Sequence, residues 1–285
     1  MLQMTRYFTT IARAGARGAF VSVTTLAIAA GCHSSGPMQS MPMASATPNT
    51  LTAAESAAGW RLLFDGRTLT GWRGFGMSGP PAGHWTVEDG SIKKIATKDV
   101  PMVNGKRVPG GDLMTDRLYH NFELEWDWKI SPVGNTGLKY NVSEALSLAG
   151  GKTAAELSPS TAQNRAALGF EYQMIDDDRH SDGKLPTHRS SALYDLITPN
   201  ENKHINPVGE WNHSKLVFNG NHGEHWLNGL KVLEYELGSP SMNAALAASK
   251  YKVIPGFATR RDTPIVLQDH TEEAYFRNIK IRELP

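Results

Sequence analysis

"SKLVFNGNHGEHWLNGLKVLEYEL", residues 214–237, holds three short apolar runs separated by Asn219-Gly220 and Asn228-Gly229. Asn-Gly suits the left-handed backbone of a two-residue type I′ turn, so the stretch reads as a three-stranded antiparallel meander. Upstream, "NFELEWDWKI" (121–130) alternates strictly. Phe122, Leu124, Trp126 and Trp128 fall on one side, with Glu123, Glu125, Asp127 and Lys129 on the other. That is the pattern of a sheet with one face buried and one in water.

Further candidates follow in both directions: "WRLLFDGRTLTGW" (60–72), "HWTVEDGSIKKI" (84–95), "NTGLKYNV" (135–142), "GFEYQMID" (169–176), "TPIVLQDH" (263–270) and "AYFRNIKIREL" (274–284). Gly, Asn, Asp and Pro punctuate them. So many short strands predict an all-β domain over residues 59–285, a two-sheet jelly-roll sandwich. Residues 144–167 and 241–250 break the rhythm with alanine and other helix formers. They predict short inserted helices that cover an edge or frame a cleft.

The N-terminus has another character. Arg6, Arg13 and Arg17 lead into the uncharged "GAFVSVTTLAIAAGC", a signal-peptide pattern too short for a stable membrane span. The sole cysteine, Cys32, follows Ala29-Ala30-Gly31, a stretch that resembles a bacterial lipoprotein signal. The expected organisation is a signal over 1–31, a lipidated Cys32 with a disordered tether over 32–58, and the folded domain over 59–285. An exported chain with one cysteine has no internal disulfide to build. His33 follows the cysteine, with no aspartate to signal inner-membrane retention. The reading is an outer-membrane lipoprotein facing the periplasm or the cell surface, touching the membrane through its lipid alone. Removing 1–31 leaves 26 basic against 28 acidic residues. No basic stripe of the kind nucleic acid requires is present.

Three strands bring polar side chains to matching parity. Asn135 and Lys139, Glu171 and Gln173, and Gln268 and His270 would share the outward face of one sheet. Together they form a candidate polar cleft floor. Other chemistries lack their marks: there is no phosphate loop, no Gly-x-Ser-x-Gly elbow and no cysteine metal site. His222 and His225 flank Glu224 on a strand that would part them between faces, and 176–179 ("DDDR") reads as an acidic loop rather than a calcium site. A direct glycosidase needs two carboxylates across the bond. Gln173 stands where sandwich-fold glucanases often place the second, and an amide can be neither nucleophile nor general acid.

"GWRLLFDGRTLTGWRGF", "NFELEWDWKISPVGNTGLKY", "FEYQMIDDD", "ALYDLITP", "GEWNHSKLVFNGNHGEHWLNG" and "LQDH…YFRNIKIREL", in that order from Gly59 onward, resemble the 3-keto-disaccharide hydrolase family. The resemblance implies a concanavalin-like jelly roll and carbohydrate catabolism in the bacterial envelope. The chain departs from the family in Thr271, where glycine often follows the histidine, and in Thr263-Pro264, where Gly-His is usual. A differently shaped loop beside His270 is therefore expected.

The resemblance also implies a chemistry. A ketone at C3 acidifies the proton at C2; its removal gives an enolate that expels the C1 oxygen, and water adds back. This route needs a base, an acid and a group for the enolate oxygen, but no carboxylate nucleophile. His270 and Glu171 would divide the base and acid roles, and Lys139 would hold the enolate. Gln173, Gln268 and Asn135 would bind sugar hydroxyls, with Tyr194, Trp211 and Arg277 completing the substrate-binding set; Arg277 equally suits a structural ion pair. No cofactor is required; a divalent cation could replace Lys139, although no ligand set stands out. The partners are a carbohydrate substrate and a separate sugar 3-dehydrogenase, since the chain carries no dinucleotide fingerprint. The competing readings are a lectin-like binding module, an envelope scaffold or adhesin, and a direct glycoside hydrolase.

Overall fold

The computed structural model describes residues 47–149 and 167–285. The leader, Cys32 and most of the expected tether lie outside the described residues, as does much of the first alanine-rich insertion. Among the described residues no helix is long and apolar enough to cross a membrane.

The strands are short, as the punctuation predicts. In chain order they are β1 (Arg61–Leu62), β2 (Trp72–Gly74), β3 (Trp85–Glu88), β4 (Ser91–Lys94), β5 (Met102–Val103), β6 (Lys106–Arg107) and β7 (Leu113–Thr115). Then come β8 (Phe122–Ile130), β9 (Asn135–Tyr140), β10 (Phe170–Ile175), β11 (Asn212–Asn219) and β12 (His222–Leu227). The last three are β13 (Leu230–Glu236), β14 (Val266–Leu267) and β15 (Ala274–Glu283). An eight-stranded sheet runs β13-β12-β11-β8-β15-β4-β3, with β1 also paired to β15. A five-stranded sheet runs β10-β9-β14-β7-β2, and β5-β6 form a separate hairpin. The two large sheets pack face to face, which gives the all-β sandwich read from the alternation.

The meander forms as β11-β12-β13. Asn228 and Gly229 both take positive φ, at 48° and 86°, as a type I′ turn demands. The other turn is shifted by one residue. Asn219 pairs with His222, so Gly220 and Asn221 are its central residues, and positive φ falls on Gly220.

Phe122, Leu124, Trp126 and Trp128 all enter the core. Trp126 meets Tyr172 of the opposite sheet edge-on, with ring centroids 4.9 Å apart, and Trp128 donates to Ser214 Oγ at 2.8 Å. His225 faces the same interior, parted from His222 and Glu224 as expected. Tyr140 OH lies 2.7 Å from its Nε2 and the Ser191 carbonyl 2.9 Å from its Nδ1. Burial lowers its pKa to about 3, so the ring is neutral.

The expected tether needs correction at its C-terminal end. Asn49 exchanges two hydrogen bonds with Asn278: its N–H donates to Asn278 Oδ1 (2.6 Å), and Asn278 N–H donates to Asn49 Oδ1 (2.8 Å). Helix α1 (Ala53–Ala57) follows, closed by a capping box between Thr52 and Glu55, and Glu55 pairs with Lys280. The packed structure therefore starts near Asn49 rather than Gly59, because polar capping and one ion pair hold a stretch with little apolar content. The inserted helices also form, as α2 (Glu144–Ala149) and α3 (Pro240–Ala248). The acidic loop is structural: Asp176 accepts from Val133 N (2.9 Å), and Asp177 accepts from Ser190 N (2.7 Å) and pairs with Lys203.

Candidate active site

The site stands on the outer face of the five-stranded sheet. In the β9-β10 pairing Glu171 is opposite Lys139, Gln173 opposite Gly137 and Ile175 opposite Asn135. On the other flank β14 sets Val266 opposite Lys139, and Gln268 N–H donates to the Gly137 carbonyl at 2.9 Å. Period-2 geometry thus delivers the expected set to one surface. A cavity of about 290 Å³ opens there. All three candidate catalytic residues, Glu171, His270 and Lys139, line it, as do Asn135, Gln173, Gln268 and Tyr194.

Trp211 and Arg277 do not join them. They stack on each other, with the guanidinium 3.9 Å from the ring, on the outer face of the eight-stranded sheet. Arg277 also reaches Asp127 (3.4 Å), which is the structural ion-pair role. Trp211, just before β11, and Arg277, on β15, belong to the eight-stranded sheet, away from the cavity.

A second correction concerns burial. Every residue of β9 and β10 is buried on both faces, so the expected wet floor is roofed. One wall comes from the loop after β10, where His188 bridges Asp182 Oδ1 (2.6 Å) and Asp195 Oδ1 (3.0 Å) and stacks on Tyr194 at 4.3 Å. Another comes from the turn after α3, which supplies Lys250 and Tyr251.

Burial sets the electrostatics. It raises the Glu171 pKa, opposed by the nearby Lys139 ammonium. It would lower Lys139, but Asp112 and Glu171 outweigh it and hold the lysine charged; Lys139 Nζ donates to Asp112 Oδ2 at 2.9 Å. His270 is pushed below the usual histidine value by burial and by His180, Lys94 and Lys139. Its Nδ1 lies 3.0 Å from Thr271 Oγ1.

The floor also limits what can replace these residues. A Cβ on Gly137 would sit 2.2 Å from Glu171 Oε1, so only glycine leaves room for the carboxyl. The Gln173 amide is satisfied with its nitrogen toward Glu171 Oε1 (3.2 Å) and the Thr136 carbonyl (2.9 Å). Gln268 Nε2 lies 3.4 Å from Glu171 Oε2, while its own Oε1 is buried without a partner among the described residues.

A sequence profile of the 3-keto-alpha-glucoside-1,2-lyase-like domain matches residues 59–282. The chain belongs to this family. It is a glycoside-cleaving enzyme. A 3-keto-disaccharide hydrolase of Bacteroides thetaiotaomicron is 34% identical over 259 residues, covering 86% of this chain and 85% of that one. Two crystal structures of candidate glycosyl hydrolases from Parabacteroides distasonis share the fold. One is 33% identical, with a TM-score of 0.67, over 84% of this chain and 100% of its own. The other is 25% identical, with a TM-score of 0.54, over 79% and 99%.

Within this 3-keto-glucoside lyase-like domain, four residues that alternation missed complete the site. Asp182, Lys250 and Tyr251 line the cavity, and Asp112 sits behind Lys139. Asp112 also accepts from Asp269 N (3.0 Å) and Ala167 N (2.9 Å), tying the floor to the His270 loop. None lies on the three aligned strands, so no periodic signal marks them. The metal-like grouping found among the described residues is His222, Glu224 and Glu234, on the eight-stranded sheet. Lys231 already occupies it, 3.2 Å from Glu224 and 2.5 Å from Glu234.

Proposed function

We propose that this chain cleaves 3-keto-glycosides by removing the C2 proton, eliminating the glycosidic oxygen and adding water. The observation that carries the reading is a pair of groups with opposed shifts in a cavity that also holds a charged lysine and three amides. His270 is held neutral and Glu171 is biased toward its protonated form, which is how a site prepares a base and an acid side by side. In the tautomer that carries the proton on Nδ1, 3.0 Å from Thr271 Oγ1, His270 Nε2 takes the C2 proton. The C1–O bond breaks, its electron pair leaves with the oxygen, and Glu171 protonates that oxygen. Lys139, held charged by Asp112, supports the enolate, while Gln173, Gln268 and Asn135 bind hydroxyls.

The test is mass spectrometry of products from paired oxidised and unoxidised glycosides in deuterated water. Cleavage of the 3-keto substrate with deuterium at C2 is expected; cleavage of the unoxidised partner alone removes the reading. Direct glycoside hydrolysis is the second reading, favoured by Asp182 as a second carboxylate on the wall. Against it, both Asp182 oxygens are taken, by His188 and by Tyr194 OH (2.9 Å).

The ketone is a product of a separate sugar 3-dehydrogenase in this proposal. Export and lipidation at Cys32 belong to it as well; palmitate labelling that is lost in Cys32→Ser is the expected result.

A further inference from the structure

The cavity holds two lysines in different states. Lys139 is buried and committed to Asp112 at 2.9 Å. Lys250 stands at the exposed mouth, and among the described residues its ammonium makes no hydrogen bond or ion pair. It lies over the rings of Tyr194 (4.2 Å) and Tyr251 (5.1 Å). Its backbone is fixed, since Lys250 N–H donates to Asp195 Oδ2 at 2.8 Å, and Asp195 is itself held by His188 at 3.0 Å. The site therefore contains a positioned cation whose ammonium has no protein hydrogen-bond partner among the described residues.

Its neighbours indicate which oxygen it serves. Glu171 is the carboxyl that acts on Lys250 most strongly, ahead of Asp195 and Asp182. Tyr194 N–H donates to the Glu171 carbonyl at 3.0 Å and Lys250 lies 4.2 Å over the Tyr194 ring, so Lys250 belongs to the Glu171 side of the cavity. If Glu171 protonates the departing oxygen, Lys250 flanks the bond that breaks.

We propose that Lys250 is a catalytic residue that donates a hydrogen bond to the glycosidic oxygen as it departs and then neutralises the Glu171 carboxylate left behind. The assignment rests on the elimination reading above. Atoms and charge balance: the C2–H pair becomes the C1=C2 bond, the C1–O pair leaves with the oxygen, and Glu171 supplies its proton. Lys250 keeps all of its own protons. Partial desolvation at the cavity mouth lowers its pKa, which makes its N–H a stronger donor.

The discriminating measurement is leaving-group dependence in Lys250→Met. An alkyl 3-keto-glucoside, whose alkoxide needs help to leave, should lose about 100-fold in kcat with little change in KM. The 4-nitrophenyl 3-keto-glucoside, whose phenoxide leaves unaided, should stay within about threefold. Lys250→Arg should recover part of the alkyl rate, and the melting temperature should hold, since the side chain makes no hydrogen bond. Equal losses on both substrates would assign Lys250 to the enolate instead and overturn the proposal, as would unchanged alkyl turnover. Wild-type protein inactive on both substrates would overturn the elimination reading, and this role with it.

Discussion

The outer faces of the two large sheets began as the same pattern and ended as opposites. On the eight-stranded sheet, Lys93, Tyr275 and Lys129 lie side by side across three strands. Lys129 sits 4.5 Å from Tyr275 and 5.0 Å from Trp211, with Arg277 stacked at the end. On the five-stranded sheet, Asn135, Lys139, Glu171 and Gln173 are covered and buried. The first face meets water and its charges neutralise one another; the second is roofed by the loop after β10 and the turn after α3. The roof matters because withdrawing water raises a carboxyl such as Glu171 and lowers an imidazole such as His270.

The sharpest way to break that contrast is mutation on both faces. Glu171→Gln and His270→Ala should each lower kcat on a 3-keto-glucoside by about 10²–10⁴-fold, the usual contribution of a positioned acid or base. Trp211→Ala and Arg277→Ala should leave kcat within about twofold and reduce stability by about 1 kcal/mol at most. Comparable losses on the two faces would dissolve the distinction.

Gly137→Ala tests the roofed face without touching a functional group. Its methyl would displace the Glu171 carboxyl, and a misplacement of about 1 Å costs about 100-fold in rate. A structure of the variant with Glu171 unmoved and full activity would show that the floor is looser than its packing implies.

The layer between the faces has its own pH signature. The folded pKa of His225, about 3, lies below the ordinary 6.5, so the unfolded chain binds the additional proton. Stability from this group is complete above about pH 6.5 and is lost as pH falls toward 3, amounting to about 4 to 5 kcal/mol across the window. Denaturant melts of wild type and His225→Gln across that range should diverge in slope; parallel curves would refute it. Among substitutions at the site, the smallest expected effect is Thr271→Gly, which removes the partner of His270 Nδ1 and should lower kcat about three- to tenfold, shifting the acidic limb of the pH profile.

Much of the fold was legible because strand geometry is local. Alternation at 122–129 named the core side chains, and two Asn-Gly pairs announced the meander, although the first turn centres one residue later than the dipeptide suggests. Parity likewise grouped Asn135, Lys139, Glu171, Gln173, Gln268 and His270. Trp211 and Arg277, which no parity argument placed in the cleft, belong to the other sheet. Parity was silent on Asp182, Lys250 and Tyr251, which reach the cavity from loops and turns, and on Asp112, which stands behind Lys139. It was silent also on Asn49, whose partner Asn278 is distant in sequence.

By itself, then, the sequence determined the elements, their buried sides and a shared polar face, because a period of two is dictated by the bonds of each residue. Tertiary structure alone decided that this face is roofed, which lysine is paired and which is free, and how far burial moves Glu171 and His270. Those properties arise from the exclusion of water by segments remote in the chain, and no local pattern encodes that exclusion.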